Sequence, residues 1–341
     1  MNPPPYISHK NNMGAVRYYL ALSVLIAHFN ILTGHEVPWP TSSYTAVGGF
    51  FALSGFLVFG SFMRHPTLKD YLSRRARRIL PPYFLIVVIC ALVFCSISSE
   101  PVGNYFFSGK FFGYLAANLS FLNFLQPELP GVFEGAEYYN HAVNGSLWTM
   151  KVEWMLYLSV PIIFWIYSKL RINRLYLFAV TVALSIGYRI TFLYLYSKTG
   201  NEIYELLGKQ VFGQLSYFYV GVIIFFIFDQ FMRYRWWILS FDILAIIFSS
   251  HIPYYGIILS PIVTGTLVLL ISMSGDIGYR ISRHDNVSYD IYLFHYPIIQ
   301  LCVYLGFKDS PAWITLPAII AVTWTLASLS WNLVGKRFKH T

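Results

Sequence analysis

Two ionisable residues stand at opposite ends of an uncharged run near the start of the chain. The stretch RYYLALSVLIAH has Arg17 at one end and His28 at the other. An imidazole titrates near neutral pH, and it can take up a proton or act as a nucleophile. The pair therefore indicates acid–base or nucleophilic chemistry. The alternative is a hydrogen-bonded packing histidine with an interfacial arginine.

The composition predicts that this run crosses a membrane. Of 341 residues, 56% are hydrophobic and only 11% are charged, whereas soluble domains carry about 25% charged residues. The net charge of +9 does not indicate nucleic acid binding, because the basic residues cluster in short gaps between apolar runs. The three cysteines lie within apolar runs without zinc-type spacing, so no metal site is predicted.

Ten apolar runs are close to the ~20 residues that cross a bilayer. They cover residues 14–33, 46–63, 79–98, 147–168, 174–196, 211–229, 236–250, 255–273, 288–306 and 312–335. Most Lys and Arg residues fall in cytoplasmic segments if both termini are cytoplasmic. The sequence thus predicts an all-α, polytopic membrane protein with a single domain, 1–341. Its long extracytoplasmic loop, 99–146, holds a re-entrant or interfacial helix at 111–125.

Helical geometry relates Arg17 to His28. Eleven positions of α-helix rotate by about 1100°, close to three full turns, and rise about 16.5 Å. The two side chains therefore share one face, with Arg17 at the cytoplasmic mouth and His28 past the middle of the membrane. An ionisable group at that depth is costly, so it normally faces the interior of the helix bundle.

Five stretches, in order, resemble the membrane-bound acyltransferase-3 family, which O-acetylates bacterial surface polysaccharides. They are R-x10-H (17–28), GGFFALSGFLV (48–58), RRARRILPPYF (74–84), GSLWTMKVEWMLYLSVPI (145–162) and SYDIYLFHYPI (288–298). The chain departs from the family near its end, where GKRF (335–338) stands in place of the frequent Glu-Lys-Pro-Phe. The acid of that motif is absent or supplied elsewhere. We expect the standalone form, without an appended hydrolase-like domain.

The resemblance implies that His28 is catalytic and that Arg17 is its partner, in catalysis or acyl-CoA binding. It implies acetyl-CoA as co-substrate, no permanently bound cofactor, and a glycan or lipid-linked oligosaccharide as acceptor, with membrane lipids around the bundle and a homodimer as one candidate assembly. The expected location is the bacterial inner membrane. His28 would either deprotonate the sugar hydroxyl or carry the acetyl group itself.

Depth along the spans predicts a polar layer. His28, Glu153 and Arg189 each lie roughly 7–11 Å from the outer boundary if helices rise 1.5 Å per residue. Glu153 could orient His28 or stabilise its protonated form. Arg189 could pair with Glu153, as a purely structural bridge, or stabilise the tetrahedral oxyanion. Thr149, Glu153 and Tyr157 form one polar stripe, because they recur every four residues.

A basic cluster is predicted to bind the phosphates of coenzyme A. Guanidinium groups match phosphate oxygens, and the cluster lies on the cytoplasmic side. Anchoring to the cytoplasmic leaflet is the alternative. We expect Pro81 and Pro82 to begin span three and to leave the cluster on a bent, exposed turn. The cluster consists of Arg74, Arg75, Arg77 and Arg78.

Span nine carries a second polar stripe, formed by Ser288, Tyr292 and His295. His295 is expected about 10 Å above the cytoplasmic edge, well below His28. There it would line the path of the pantetheine arm together with Tyr292, unless it is a packing histidine. Trp148 is expected at the outer interface, on the acceptor side.

Small residues in span two, at positions 48, 49, 54 and 55, are expected to allow close helix packing. The acids Asp242 and Asp290 receive no role. The main rival function is a lipid-linked glycan transporter or flippase without covalent chemistry. A second rival is a succinyl or longer-acyl transferase on the same scaffold.

Overall fold

The computed structural model describes residues 10–64, 67–135, 138–170, 172–279 and 287–339. Throughout these ranges the regular structure is helical and contains no strand, which confirms the all-α prediction. The α-helices are α1 (Met13–Thr33), α2 (Ser43–Arg64), α3 (Leu68–Val93), α4 (Val102–Phe107), α5 (Gly109–Leu119), α6 (Trp148–Leu170), α7 (Arg174–Thr199), α8 (Glu202–Gly208), α9 (Val211–Phe226), α10 (Phe228–Arg233), α11 (Arg235–Ile247), α12 (Tyr255–Ile258), α13 (Ser260–Met273), α14 (Ser288–Tyr304), α15 (Ala312–Ser330) and α16 (Lys336–Lys339). The first and last residues of the chain, which are predicted to be cytoplasmic, lie outside the described residues.

Six helices in the described part of the chain are long and apolar enough to cross a membrane. They are α1, α2, α3 with its short 3-10 extension, α6, α7 and the continuous C-terminal helix that begins with α15. The other four predicted spans correspond to the shorter helices α9, α11, α13 and α14. The chain is therefore a helical membrane protein, and the count of ten and the orientation stay predictions.

The basic cluster differs from its prediction, because it is helical. Helix α3 begins at Leu68 and continues through Pro81 and Pro82, which lie in its interior. Each proline removes one N–H donor, and the carbonyls that lose these donors belong to Arg77 and Arg78. Both arginines are exposed, so solvent can hydrate their carbonyls. The helix thus tolerates prolines that we expected to start it.

The long loop contains two short helices, α4 and α5, and the predicted helix at 111–125 ends early, at Leu119. Two residues beyond this end, Phe121 has a φ of 63°, a left-handed conformation that cannot continue an α-helix. The ammonium of Lys110 lies 3.3 Å from the carboxylates of both Glu128 and Glu134. Burial opposes its charge, but the hydrogen bonds with Glu134 and Glu128 outweigh this effect and raise the pKa of Lys110.

The chain divides into two compact units. The first comprises Met1–Leu20, Tyr44–Tyr71 and Val152–His284, and the second comprises Ala21–Ser43, Leu72–Lys151 and Asp285–Thr341.

Within the first unit, α2 and α9 approach each other at glycines. A Cβ atom on Gly55 would lie 1.9 Å from the carbonyl oxygen of Phe218, and one on Gly221 would lie 2.0 Å from that of Ala52. A Cβ atom on Gly48 would lie 2.4 Å from the ring of Tyr217. Only hydrogen fits at these positions, so the expected role of the span-two glycines in close packing is confirmed.

Within the second unit, α14 packs against α15. A buried hydrogen bond of 2.6 Å joins them, donated by the Ser330 hydroxyl to the Asp290 carboxyl group. Asp290, which had no role from sequence alone, therefore fixes the start of α14 to the end of α15. The helix that it fixes carries His295.

Candidate active site

The centre of the second unit holds a pair of imidazole rings. Nδ1 of His28 lies 2.7 Å from Nε2 of His295. The ring planes differ by 9° and the centroids are 5.0 Å apart, which is wider than the ~3.5–4 Å of face-to-face carbon contact. The rings therefore meet through their edges, by a hydrogen bond, and are not stacked. His295 is fully buried, whereas His28 is partly exposed.

This contact corrects the predicted depth of His295, which was expected well below His28. The estimate counted 1.5 Å per residue from a common plane at the cytoplasmic edge. Helix α14 has 17 residues and is therefore about 25 Å long, shorter than the ~30 Å hydrocarbon core. A helix of that length need not begin at the plane assumed in the count, so the count did not fix the depth of His295 relative to His28.

A polar network from the long loop lies against the same helix. The ring of Tyr296 meets His28 edge-on at 5.2 Å, and its hydroxyl donates to Oδ1 of Asn140 at 2.9 Å. The buried amide of Gln300 donates to the carbonyls of Asn140 and Ala142, at 3.0 Å each. The loop is thereby held against the face of α14 that carries Tyr296 and Gln300.

The end of the loop is held in the same way. The amide of Asn144 donates to the carbonyl of Leu293 at 2.8 Å, and the Ser146 hydroxyl donates to Oδ1 of Asn144 at 2.7 Å. The hydroxyls of Thr149 and Tyr292 are 2.9 Å apart. Tyr292 also meets the ring of His295 edge-on at 5.7 Å. Tyr292 therefore supports the imidazole pair, and its predicted contact with acyl-CoA stays a prediction.

Sequence reasoning missed Asn140, Asn144, Tyr296 and Gln300. Their signal is weak, because loop residues show no periodicity and a lone amide in an apolar helix is easily taken for packing. Gln300 was the best clue, since an amide in the middle of an apolar span needs hydrogen-bond partners.

The first unit contains the other predicted acid–base residues. Arg17 is half-buried on α1, and Trp148, in the second unit, is the first residue of α6. The Glu153 carboxylate accepts a short hydrogen bond from the hydroxyl of Tyr157. The backbone carbonyl of Tyr157 in turn accepts from the hydroxyl of Tyr71 at 2.9 Å. Glu153 and Tyr157 of the polar stripe on α6 are thus hydrogen-bonded to each other, while the catalytic role of the stripe stays a prediction.

Arg189 is buried in the first unit and contacts carbonyls and rings. Its Nη2 donates to the carbonyl of Gly256 at 2.8 Å, and its guanidinium lies over the rings of Tyr44 and Tyr217, at 5.4 and 5.8 Å. Among the described residues these contacts replace the expected pair with Glu153. Arg189 borders a cavity of about 450 Å³, a volume within the usual range of ligand pockets.

Arg74, in the basic cluster on α3, has two buried donor atoms with unmet hydrogen-bonding capacity. Arg77 and Arg78 are exposed, whereas Arg74 and Arg75 are half-buried. Nε and Nη2 of Arg74 are buried and have no hydrogen-bond partner among the residues that the structure describes. Buried polar atoms in native proteins usually have partners. Arg74 is therefore the member of the cluster that is best suited to receive an anion.

Within the described ranges, no group of three His, Cys, Asp or Glu side chains is arranged to hold a metal ion. Helices that can span a membrane and a hydrogen-bonded imidazole pair define the chain as a helical membrane protein with a candidate acid–base centre. The sequence model of the acyltransferase 3 family, described as an acyltransferase domain, matches residues 11–331. The chain belongs to this family and is an acyltransferase.

Several curated relatives cover most of the chain. An O-acetyl transferase of Shigella phage Sf6 is 24% identical, over 97% of this chain and 96% of its own. Nodulation protein 10 of Rhizobium leguminosarum bv. viciae is 25% identical, over 96% of this chain and 92% of its own. Acyltransferase MdmB of Streptomyces mycarofaciens is 22% identical, over 54% of this chain and 46% of its own. No solved structure matches the chain.

Proposed function

We propose that this acyltransferase moves an acetyl group from cytoplasmic acetyl-CoA to a hydroxyl of a surface or lipid-linked glycan, such as O-antigen or capsule, outside the bacterial inner membrane. The observation that carries the proposal is the partly exposed His28, hydrogen-bonded to a buried imidazole. The similarity to a relative named O-acetyl transferase supports the acetyl group. No permanently bound cofactor is required, because the thioester supplies the activated acyl group.

The reaction needs a base, because a sugar hydroxyl is a poor nucleophile while it is protonated. In direct transfer His28 takes the hydroxyl proton, and the oxygen attacks the thioester carbonyl. The C–S bond then breaks, and the coenzyme A sulfur takes the proton from His28. In the covalent route the His28 nitrogen attacks the thioester carbonyl, the C–S bond breaks, and coenzyme A leaves as the thiolate. The sugar hydroxyl then attacks the acetyl carbon, the C–N bond breaks, and the hydroxyl proton passes to the released nitrogen and from it to the thiolate.

The donor end of the proposal rests on Arg74. A coenzyme A phosphate would supply the acceptor atoms that Nε and Nη2 lack. We expect Arg74→Gln to raise KM for acetyl-CoA about tenfold, on the order of one charge-assisted hydrogen bond, while kcat changes little. The control is Arg233→Gln, which removes an exposed arginine on α10. Equal effects of the two variants on KM would mean that the cluster anchors the chain to lipid and does not bind coenzyme A.

The acceptor end of the proposal rests on the cavity beside Arg189. Its walls include several tyrosine rings, and the one ammonium on its wall, Lys209, is paired with Glu205. Arg189 donates to the carbonyl of Gly256, which is neutral, so its guanidinium keeps a positive charge beside the cavity. Aromatic faces suit the rings of a sugar, and a guanidinium suits its electronegative oxygens. We expect Tyr204→Ala, on the wall, to raise KM for the glycan and not KM for acetyl-CoA.

The decisive comparison is between His28→Ala and His251→Ala. His251 is an exposed histidine in a short 3-10 turn. We expect glycan acetylation, followed by mass spectrometry, to be lost only in the first variant at equal protein levels. Purified protein should also release coenzyme A from labelled acetyl-CoA. A transporter would do neither, and faster reaction with succinyl-CoA would identify the longer-acyl alternative.

A further inference from the structure

We propose that His295 is the positioning residue of the active site. It would hold the proton of His28 on Nδ1, so that Nε2 of His28 meets the hydroxyl or acyl group. This inference rests on the proposed function of His28 as the base or nucleophile. It reassigns His295 from the acyl-CoA path to the support of His28.

The first step is the number of protons between the rings. A distance of 2.7 Å between Nδ1 of His28 and Nε2 of His295 requires a hydrogen bond. Two lone pairs, or two N–H groups, would repel each other at this distance. One proton therefore lies between the rings, and one of the two nitrogen atoms donates it.

The second step identifies the donor. Nδ1 of His295 lies 3.3 Å from the carbonyl oxygen of Ile291, and a carbonyl can only accept. The Nδ1 atom of His295 therefore carries its hydrogen. A neutral imidazole has one N–H group, and among the described residues the other rings that meet this fully buried imidazole are those of the uncharged Tyr292 and Tyr296. A second proton would place an uncompensated charge there, so Nε2 of His295 is the acceptor.

The third step follows along the chain of hydrogen bonds. If Nε2 of His295 accepts, Nδ1 of His28 donates, and the lone pair of His28 is on Nε2. In the described part of the structure that atom has no hydrogen-bond partner. A base whose far nitrogen is held by a third group is the usual arrangement in nucleophilic and acid–base sites. Here a neutral imidazole would take the place that a carboxylate often occupies.

The proton balance is compatible with transfer. When Nε2 of His28 takes the hydroxyl proton, the Nδ1–H bond to His295 polarises and helps to disperse the positive charge. His295 gains no proton in the cycle. The proton on Nε2 of His28 passes to the coenzyme A sulfur when the C–S bond breaks. His295 thus acts through His28 and touches neither substrate.

The test compares two substitutions in the purified full-length protein. His295→Gln keeps an acceptor oxygen near Nδ1 of His28, whereas His295→Leu removes it. We expect nitrogen-15 NMR of labelled histidines to find the His28 proton on Nδ1 in the wild type and in the Gln variant. In the Leu variant the proton should move to Nε2. In assays, kcat should fall about 10–100-fold for the Leu variant and only a few-fold for the Gln variant, with KM unchanged in both. The loss is smaller than the ~10⁴-fold loss found where a carboxylate sets the tautomer of the catalytic histidine.

A wild-type His28 that carries its proton on Nε2 would overturn the inference, even if no variant could be purified. So would equal kcat values for the Gln and Leu variants. The NMR measurement needs no acyl donor, so it separates the two proposals. A protein with the expected tautomer and no acetyl transfer would contradict the proposed function alone.

Discussion

The hydroxyl groups of Thr149 and Tyr292 lie 2.9 Å apart in the interior of the second unit. Thr149 stands at the start of α6, and Tyr292 stands one turn before His295 on α14. This hydrogen bond therefore couples the end of the long loop to the helix that carries half of the imidazole pair.

Removal of this hydroxyl should loosen the loop and slow the reaction. We expect Tyr292→Phe to lower the free energy of unfolding by about 1 kcal/mol, the usual net value of a hydrogen bond. Thr149 keeps its bond to the carbonyl of Ser146, so no larger loss follows. Thermal unfolding in detergent and the acetylation rate are the measurements. Tyr304→Phe, at the exposed end of the same helix, should change neither, and an equal shift there would contradict the coupling.

Gly145 should tolerate no side chain. A Cβ atom there would lie 2.7 Å from the ring of Tyr296, whose hydroxyl is fixed by Asn140. Gly145→Ala should therefore cost about 1–3 kcal/mol by overpacking and should displace Tyr296 from His28. Unfolding midpoints and kcat measure these effects.

The matched control is Gly187→Ala, because a Cβ atom at Gly187 meets nothing within 4 Å. That substitution in a helix interior should be neutral or stabilising, by up to about 1 kcal/mol. Tyr296→Leu should relieve the clash in the Gly145→Ala background and restore stability but not activity. A double variant as unstable as Gly145→Ala alone would show that Tyr296 is not the obstacle.

Substitutions of Gly55 and Gly221, where α2 and α9 cross, should have non-additive effects on stability. Gly55→Ala and Gly221→Ala each place a methyl group about 2 Å from a backbone carbonyl. Each should cost at least the ~1–3 kcal/mol of ordinary overpacking, because a backbone cannot rotate away. Once one substitution has separated the helices, the second should cost less than it does alone. Additive losses in thermal unfolding would mean that the two contacts are independent.

Hydropathy was sufficient to predict the long helices. The predicted runs 14–33, 46–63 and 147–168 agree with α1, α2 and α6 to within three residues at each end. The prediction was wrong at Pro81 and Pro82, because local propensity does not consider that the freed carbonyls belong to the exposed residues Arg77 and Arg78. It identified a helix in the loop but placed its end too late, because the helix ends at Leu119, shortly before the left-handed backbone of Phe121.

The site was predictable only in part. An ionisable residue deep in an apolar run is easily recognised in a sequence, so His28 was identified from its position. Its partnership with His295 was not, because depth counted along one helix does not specify where a neighbouring helix begins. Of the two alternatives for Arg189, the structure does not show the ion pair with Glu153, since the guanidinium donates to the carbonyl of Gly256 instead; the oxyanion role stays a prediction.

The hydrogen bond between Asp290 and Ser330 should affect the position of His295 indirectly, through the orientation of α14. Ser330→Ala leaves a buried carboxyl oxygen without its 2.6 Å donor, and an unsatisfied buried group costs about 1–3 kcal/mol. Asp290→Leu removes the carboxyl group and with it the need for a hydrogen-bond donor. The double variant should therefore be no less stable than Asp290→Leu alone. Unfolding midpoints of the four proteins form a double-mutant cycle, with the exposed Asp309→Asn as control.

Because Asp290 stands five residues before His295 on α14, the Ser330→Ala variant should also lower kcat. A stable, fully active Ser330→Ala variant would mean that the orientation of α14 does not depend on this bond.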